Sequence, residues 1–367
     1  MNKVFKTFHS GRGVFFMMIF VCVIFAITVL KLASSVILPF IIAAFLAFVM
    51  FPLIKLLDKL RIRRTISIIL VVIIIATGMY AFGMVLFTSG RMIIAQIPNY
   101  EYRFNEIYNW VAMMFDLPKD ENLTIWQNLW GQEGIRTWVR NLTISSSNTF
   151  FKFLSSAVLV VLFMIFILFE AGFFKDKLIA AFENRTSRIH RMGNEIISQV
   201  TKYLAAKFFI SLANGIIFAV AFHIVGLEFA IVWGVLQFLL NFIPTLGSIA
   251  AGAGISLFAL LQFWPEPAPI IIVIIIILVV NVVLCNIFDP KIIGDHVGIS
   301  PLIILVSLSI WGFIWGFAGM VLAVPMTVII KIVCENIPIL EPVSILLGSR
   351  KSILARKAES EKNETSS

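Results

Sequence analysis

Apolar runs separated by short polar and basic segments recur along the whole chain. Residues 14–30, 36–57, 65–89, 153–174, 208–225 and 270–288 each read as one membrane-spanning helix, since about 20 apolar residues cross the hydrocarbon layer. Two further runs, 229–263 and 301–333, are longer than one crossing needs and are interrupted. Residues 239–254 read Leu-Leu-Asn-Phe-Ile-Pro-Thr-Leu-Gly-Ser-Ile-Ala-Ala-Gly-Ala-Gly, so Asn241, Pro244, Thr245, Gly247 and Ser248 fall in the middle of the first. The second is broken by Gly312, Gly316, Gly319 and Pro325. Proline removes a backbone donor and clashes with the preceding turn. Lipid cannot satisfy the groups so freed, and a break must face protein or a water-filled cavity. A plain Pro-kinked helix, or two short crossings joined by a tight turn, is the alternative. The pattern predicts an all-α polytopic membrane protein of about six to eight spans. It carries two interrupted helices, either re-entrant hairpins or crossings, and amphipathic helices on the outer surface.

Composition agrees. The 367 residues are 60% hydrophobic and 13% charged, with mean hydropathy +1.00, against about 25% charged in soluble domains. The net charge of +9 does not point to nucleic acid, because the basic residues cluster at the ends of apolar runs. Lys55, Lys59, Arg61, Arg63 and Arg64 form the strongest such cluster between spans. The positive-inside rule puts them, the N-terminus and the basic tail with Arg350, Lys351, Arg356 and Lys357 in the cytoplasm. The run at 14–30 is read as a retained first span, since it lacks a small-residue cleavage site. Cys22, Cys285 and Cys334 suggest neither a disulfide framework nor a metal site.

The chain divides into residues 1–89 (three spans), 90–151, 152–225 (fourth span, cytoplasmic amphipathic segment, fifth span), 226–334 (a core with both broken helices) and 335–367 (cytoplasmic polar tail). Over 90–151 charges of both signs alternate with Tyr100, Tyr102, Tyr108, Trp110, Trp126, Trp130 and Trp138. Interfacial aromatics of this kind mark helices lying at headgroup depth on the outer face.

No phosphate-binding Gly-rich loop, zinc motif or nucleophile–base signature is recognisable, which argues against an enzyme and a cofactor. Polar residues at membrane depth remain. Asn241, Pro244, Thr245 and Gly247 are the candidates for a substrate pathway or gate, since a broken helix needs polar partners. Asn214, Asn281 and Asn286 are candidate linings, although a helix-packing hydrogen bond accounts for Asn214 equally well and is the favoured use of Asn281 and Asn286. Asn281 and Asn286 point about 140° apart on a helix, so they do not share a face. Glu170, Glu228 and Asp289 are the acids able to couple an ion, and all three lie near span ends. The glycines at 312, 316 and 319 follow the spacing of close helix packing.

Several motifs in order carry a family resemblance. Asn241-Phe-Ile-Pro-Thr-Leu-Gly247, Asp289-Pro290-Lys291-Ile-Ile-Gly294, Gly298-Ile-Ser-Pro301-Leu302, and Gly316-Phe-Ala-Gly319 with Ala323-Val-Pro325 resemble the autoinducer-2 exporter family of bacterial inner-membrane permeases. The resemblance implies export of a small molecule, in some members autoinducer-2, and links the chain to quorum sensing. Other members are described as sodium(lithium)/proton antiporters. It further implies a homo-pentamer with a mobile part moving against a scaffold. The expected partners are the lipid bilayer and a small-molecule or ion substrate, with no nucleic acid. A non-transporting membrane scaffold is the third reading.

Overall fold

The computed structural model describes residues 17–18, 20–114, 152–171, 186–288 and 298–349. Among these residues the chain is helical, and a lone antiparallel bridge, Ile299 to Gly348, is the only β pairing. In chain order the helices are α1 (Phe20–Leu32), α2 (Ser34–Lys59), α3 (Arg64–Met114), α4 (Lys152–Ala171), α5 (Thr186–Val225), α6 (Ala230–Leu240), α7 (Leu246–Phe263), α8 (Pro267–Asn281), α9 (Pro301–Asn336) and α10 (Glu341–Leu347). A π-helical stretch, Val282–Phe288, continues α8 directly. Among the described residues seven helices are long and apolar enough to span, and they match every expected span except the first, of which α1 is shorter than a crossing and the start lies outside the described residues. From Thr186 on, the expected amphipathic segment and the fifth span form the single helix α5; residues 172–185 lie outside the described residues.

The 51 residues of α3 reach about 76 Å at 1.5 Å per residue, against a hydrocarbon layer of about 30 Å. Its apolar part is Arg64–Ser89. The helix then runs straight through position 90, where the mixed-charge stretch begins, so residues 90–114 extend the span instead of starting a separate surface helix. Alternating charge changes what a helix faces, not whether it continues. The remainder of the expected outer segment, 115–151, lies outside the described residues.

The first interrupted run is a helical hairpin. Its arms are α6, with 11 residues, and α7, with 18. Gln262, near the end of α7, donates from Nε2 to the Gly226 carbonyl at 2.9 Å and accepts at Oε1 from the Glu228 N–H at 2.8 Å. Those two residues stand just before α6. An unbroken helix would separate them from Gln262 by about 50 Å, so the two ends of the run share one face of the membrane. At about 17 Å, α6 is too short to cross.

The second run is a hairpin as well. Within α9 the backbone leaves helical geometry at Trp315 (φ −125°, ψ 15°) and Gly316 (φ 62°, ψ −139°). Beyond this point the chain returns along itself. Ser307 Oγ donates to the Ala323 carbonyl at 3.1 Å and sits 2.5 Å from Thr327 Oγ1, although a straight helix would hold residues 307 and 323 about 24 Å apart. The base is tied by Ser300 N–H to the Leu347 carbonyl at 3.1 Å and Ser349 N–H to the Gly298 carbonyl at 2.9 Å. Pro325, expected to interrupt this run, lies buried inside the returning helical arm. The glycines do permit close packing, but between the two arms of one hairpin: a Cβ on Gly319 would fall 1.9 Å from the Trp311 carbonyl oxygen.

Between the hairpins α8 crosses once, with Pro267–Leu284 long and apolar enough to span. One crossing between two hairpins places their bases on opposite faces. Their tips meet inside: Ile243, on the first turn, packs in one buried cluster with Leu308, Trp311, Ile314, Trp315 and Ala323 of the second hairpin. A second core joins α5, α6, α7 and α8 around Phe218, Phe222, Ile255 and Val273. A third joins α2, α3, α4, the inner part of α5 and the returning arm of α9 around Val71, Met164, Val200 and Val328.

Candidate functional site

The site grows from one face of α5. Val200, Leu204, Lys207, Ser211, Asn214, Phe218 and Phe222 recur every three or four residues and are all buried, the spacing of one helical stripe. Three consecutive positions of that stripe are polar: Lys207, Ser211 and Asn214. Ionisable and polar groups at such depth are costly and therefore concentrated where function needs them.

Against this stripe lies α6, antiparallel and very close. A Cβ on Gly234 would stand 2.5 Å from the Gly215 carbonyl oxygen, and one on Gly215 would stand 2.7 Å from that of Gly234. Two glycines facing each other bring the backbones together as in small-residue membrane interfaces. One turn inward, Asn241 Nδ2 donates to Ser211 Oγ at 2.9 Å. This register sets Gln237 level with Asn214. Gln237 Nε2 donates across to Asn281 Oδ1 on α8 at 3.3 Å. Asn214, Gln237 and Asn241 are each at most 2% exposed. The pairing is incomplete: Asn214 Nδ2, Asn214 Oδ1 and Gln237 Oε1 are buried without a hydrogen-bond partner among the described residues. Next to Asn281 the helix widens into its π-helical stretch, a distortion that recurs at functional sites.

The turn between α6 and α7 is strained. The Leu246 N–H donates to the Pro244 carbonyl at 2.7 Å, closing a γ-turn on Thr245 at φ 61° and ψ −55°. This form of the γ-turn is rare and strained, the more so for a β-branched residue. Thr245 itself is exposed at the tip, and its hydroxyl donates to the Pro244 carbonyl at 2.7 Å. Gly247 is required by packing, because a Cβ there would lie 1.7 Å from the Leu240 carbonyl oxygen. Strain of this kind persists where the surroundings over-determine it, and it clusters at ligand clamps and switches.

The base of this hairpin is clamped by the extension of α3. Tyr100 OH donates to Glu228 Oε2, and Arg103 Nη1 donates to the Gln262 carbonyl. The Tyr100 ring meets Phe258 at 5.5 Å, and Trp110 meets Trp264 at 5.1 Å. Burial first, and then the bond to Glu228, push the Tyr100 phenol well above the ordinary tyrosine range.

Of the residues singled out in the sequence, Asn241, Asn214 and Asn281 come together around α6, and Pro244, Thr245 and Gly247 form the adjoining turn. Backbone places Asn286 in the π-helical stretch, but its side chain lies outside the described residues, as does Asp289. Glu170 is exposed at the end of α4, and Glu228 belongs to the clamp at the hairpin base. Neither joins the amides. Sequence reading missed Gln237, the one amide within the short apolar helix α6, four residues before Asn241. Lys207 was not singled out either, although its spacing from Ser211 and Asn214 puts it on the buried stripe. Among the described residues no cluster of His, Cys, Asp or Glu could hold a metal.

Opposed helical hairpins meeting at a polar centre, within a bundle of apolar helices, define a polytopic transport protein, the class whose sites sit at broken helices near the bilayer midplane. Comparison with known proteins makes this specific. Residues 15–339 match the model of the AI-2E family transporters, and the chain belongs to that family. It is 28% identical over 334 residues to a protein of Borreliella burgdorferi named only for transport, covering 90% of each chain. Against the AI-2 transport protein TqsA of Escherichia coli K12 it is 27% identical over 326 residues, covering 87% of this chain and 91% of the other. Against YhhT of the same strain, again named only for transport, the figure is 28% over 318 residues, with 86% and 89% covered. The protein is a membrane transporter.

Proposed function

We propose that this transporter exports a small polar solute of the autoinducer-2 kind across the bacterial inner membrane, and that the solute passes the centre formed by Asn214, Gln237, Asn241 and Asn281 beside the Pro244–Thr245–Gly247 turn. One observation carries the reading: two hairpins from opposite faces meet next to buried amides whose hydrogen bonding is incomplete. A broken helix offers a solute polar groups inside a layer that otherwise has none. The relationship to TqsA, named for AI-2 transport, favours the same solute class.

The orientation follows from charge. With the basic cluster at Lys55–Arg64 in the cytoplasm, α3 carries the chain out. Its extension then touches the base of the first hairpin, which sets that base outside. The second base and the basic tail fall inside, with both termini cytoplasmic. Assembly into a homo-oligomer belongs to the same proposal. A sodium/proton antiporter would need an acid at the centre, and Glu170 and Glu228 both lie away from it.

The test is efflux of autoinducer-2 from proteoliposomes. Wild-type protein releases the loaded solute faster than empty liposomes, and Asn241→Ala lowers the rate at least tenfold at equal protein. Equal rates for wild type and protein-free liposomes would refute the substrate class.

A further inference from the structure

The buried amides specify a kind of solute by what they lack. Asn214 offers two N–H donors and a carbonyl acceptor, and Gln237 offers a carbonyl acceptor. None of these atoms has a partner among the described residues, although both side chains are 0% exposed. Leaving a buried amide group without partners is costly, so a site that retains several has a use for them. An anion would satisfy the N–H groups but face the carbonyl oxygens. A cation would satisfy the carbonyls but face the N–H groups. A hydroxyl donates and accepts at once, and satisfies both.

One approach to these atoms is closed and another is loose. At Gly215 and Gly234 the α5 and α6 backbones touch, and nothing fits between them. On the other side the contact is loose, for the bond from Gln237 to Asn281 is long at 3.3 Å. A solute hydroxyl can replace it. The wall that carries Asn281 passes into the π-helical stretch at the very next residue, a form of helix that recurs at functional sites.

We propose that Asn214 and Gln237 form a recognition subsite for neutral, hydroxyl-bearing solutes, entered from the α8 side by displacement of Asn281, and that this pair excludes ions of either sign. The inference rests on the transport reading above and adds the chemistry that selects the cargo. It does not depend on autoinducer-2 being that cargo.

The experiment measures thermal unfolding of the purified full-length protein with four probes: autoinducer-2, ribose, lactate and choline. The wild-type midpoint rises with at least one of the neutral hydroxylated probes and with neither ion. In Asn214→Leu and in Gln237→Leu the apparent affinity for that probe falls at least tenfold. In Asn214→Leu the midpoint without solute stays level or rises, because that substitution removes only unpaired polar atoms without opening a cavity, whereas Gln237→Leu also gives up the bond from Nε2 to Asn281 and is read by its loss of solute response. Solute-free midpoints several degrees lower in both variants would mean that the amides hold only a structural water, and would overturn the proposal. So would shifts that persist in the variants, a stronger response to lactate or choline, or no response to either neutral probe. A ribose response that the variants lose, with autoinducer-2 inert, would uphold the subsite and sink the autoinducer-2 reading alone.

Discussion

Replacing Gly319 with alanine reads out the second hairpin by the sign of its effect. If residues 301–336 were one straight apolar helix, Gly319→Ala would remove a helix-interior glycine and stabilise the protein by about 1 kcal/mol. In the folded-back structure the new methyl would lie 1.9 Å from the Trp311 carbonyl oxygen, 2.6 Å from its carbon and 3.2 Å from Trp315 Cβ. A carbon and an oxygen need more than 3 Å, so the arms must part by over 1 Å at their narrowest point. Overpacking of this order costs about 1–3 kcal/mol, and here the obstructing atoms are backbone, which cannot swing aside. The net expectation is destabilisation by about 2 kcal/mol, read as a lower unfolding midpoint in detergent. A paired measurement fixes the cause. Ser307→Cys with Thr327→Cys, in a background lacking the three native cysteines, should cross-link on mild oxidation, because the native hydroxyl oxygens are 2.5 Å apart. An unbroken helix would hold these residues about 30 Å apart. A raised midpoint for Gly319→Ala together with no cross-link would refute the hairpin.

The other expectations concern the turn, the base and the clamp. Thr245→Gly relieves the positive-φ γ-turn and should stabilise the protein by about 1 kcal/mol while slowing proteoliposome efflux; destabilisation would show that the turn carries no strain. Gln262→Ala removes both bonds that tie the hairpin base, so exchange of the Glu228 amide hydrogen should accelerate at least tenfold, and unchanged exchange would show the base held by other means. Tyr100 has a raised folded-state pKa, so the stability it contributes is present below the ordinary tyrosine pKa and is lost only as pH rises through the raised value. The wild-type advantage over Tyr100→Phe should therefore be constant through neutral pH and vanish only in strong alkali, and ultraviolet titration should find Tyr100 still protonated where exposed tyrosines ionise.

Spans and their order were legible in the sequence because hydrophobic length is dictated by the bilayer and does not depend on tertiary detail. The break at Asn241–Gly247 was legible for a related reason: proline, threonine and glycine inside an apolar run leave backbone groups that lipid cannot serve. The form of the break was not. Whether residues 229–263 kink or reverse depends on Gln262 reaching back to Gly226 and Glu228, a contact across 36 positions that no local pattern encodes. The same limit hid which of the four interruptions in the second run reverses the chain: it is Gly316, with Trp315, while Pro325 stays within the arm, since a buried proline is tolerated when neighbouring helices re-satisfy the freed carbonyl. Gln237 escaped notice because a single amide in a strongly apolar helix carries no periodic signal, and only the α5 register reveals what it faces.

The two hairpins are opposed but not equivalent, and on the proposed pathway the difference gives them different tasks. The first tip is polar and strained, with Asn241 bonded to Ser211 and Thr245 held at positive φ. The second is apolar: the Trp311 and Trp315 rings lie 5.0 Å apart, tilted by 35°, and the Trp315 indole N–H donates to the Leu30 carbonyl at 3.0 Å. A tryptophan whose polar edge is engaged and whose ring is packed forms a stiff, water-excluding surface. Ile243 seats the first tip on that surface. A solute at the amides thus lies beside a seal that offers it no hydrogen bond, and to leave towards the second hairpin it must part Ile243 from the tryptophans. Substituting Ile243 by alanine weakens the seal without touching an amide. It should raise leak of small solutes through proteoliposomes while leaving the affinity for the transported solute within about twofold. A loss of affinity with no leak would place the tryptophan cluster in the binding site and not at the gate.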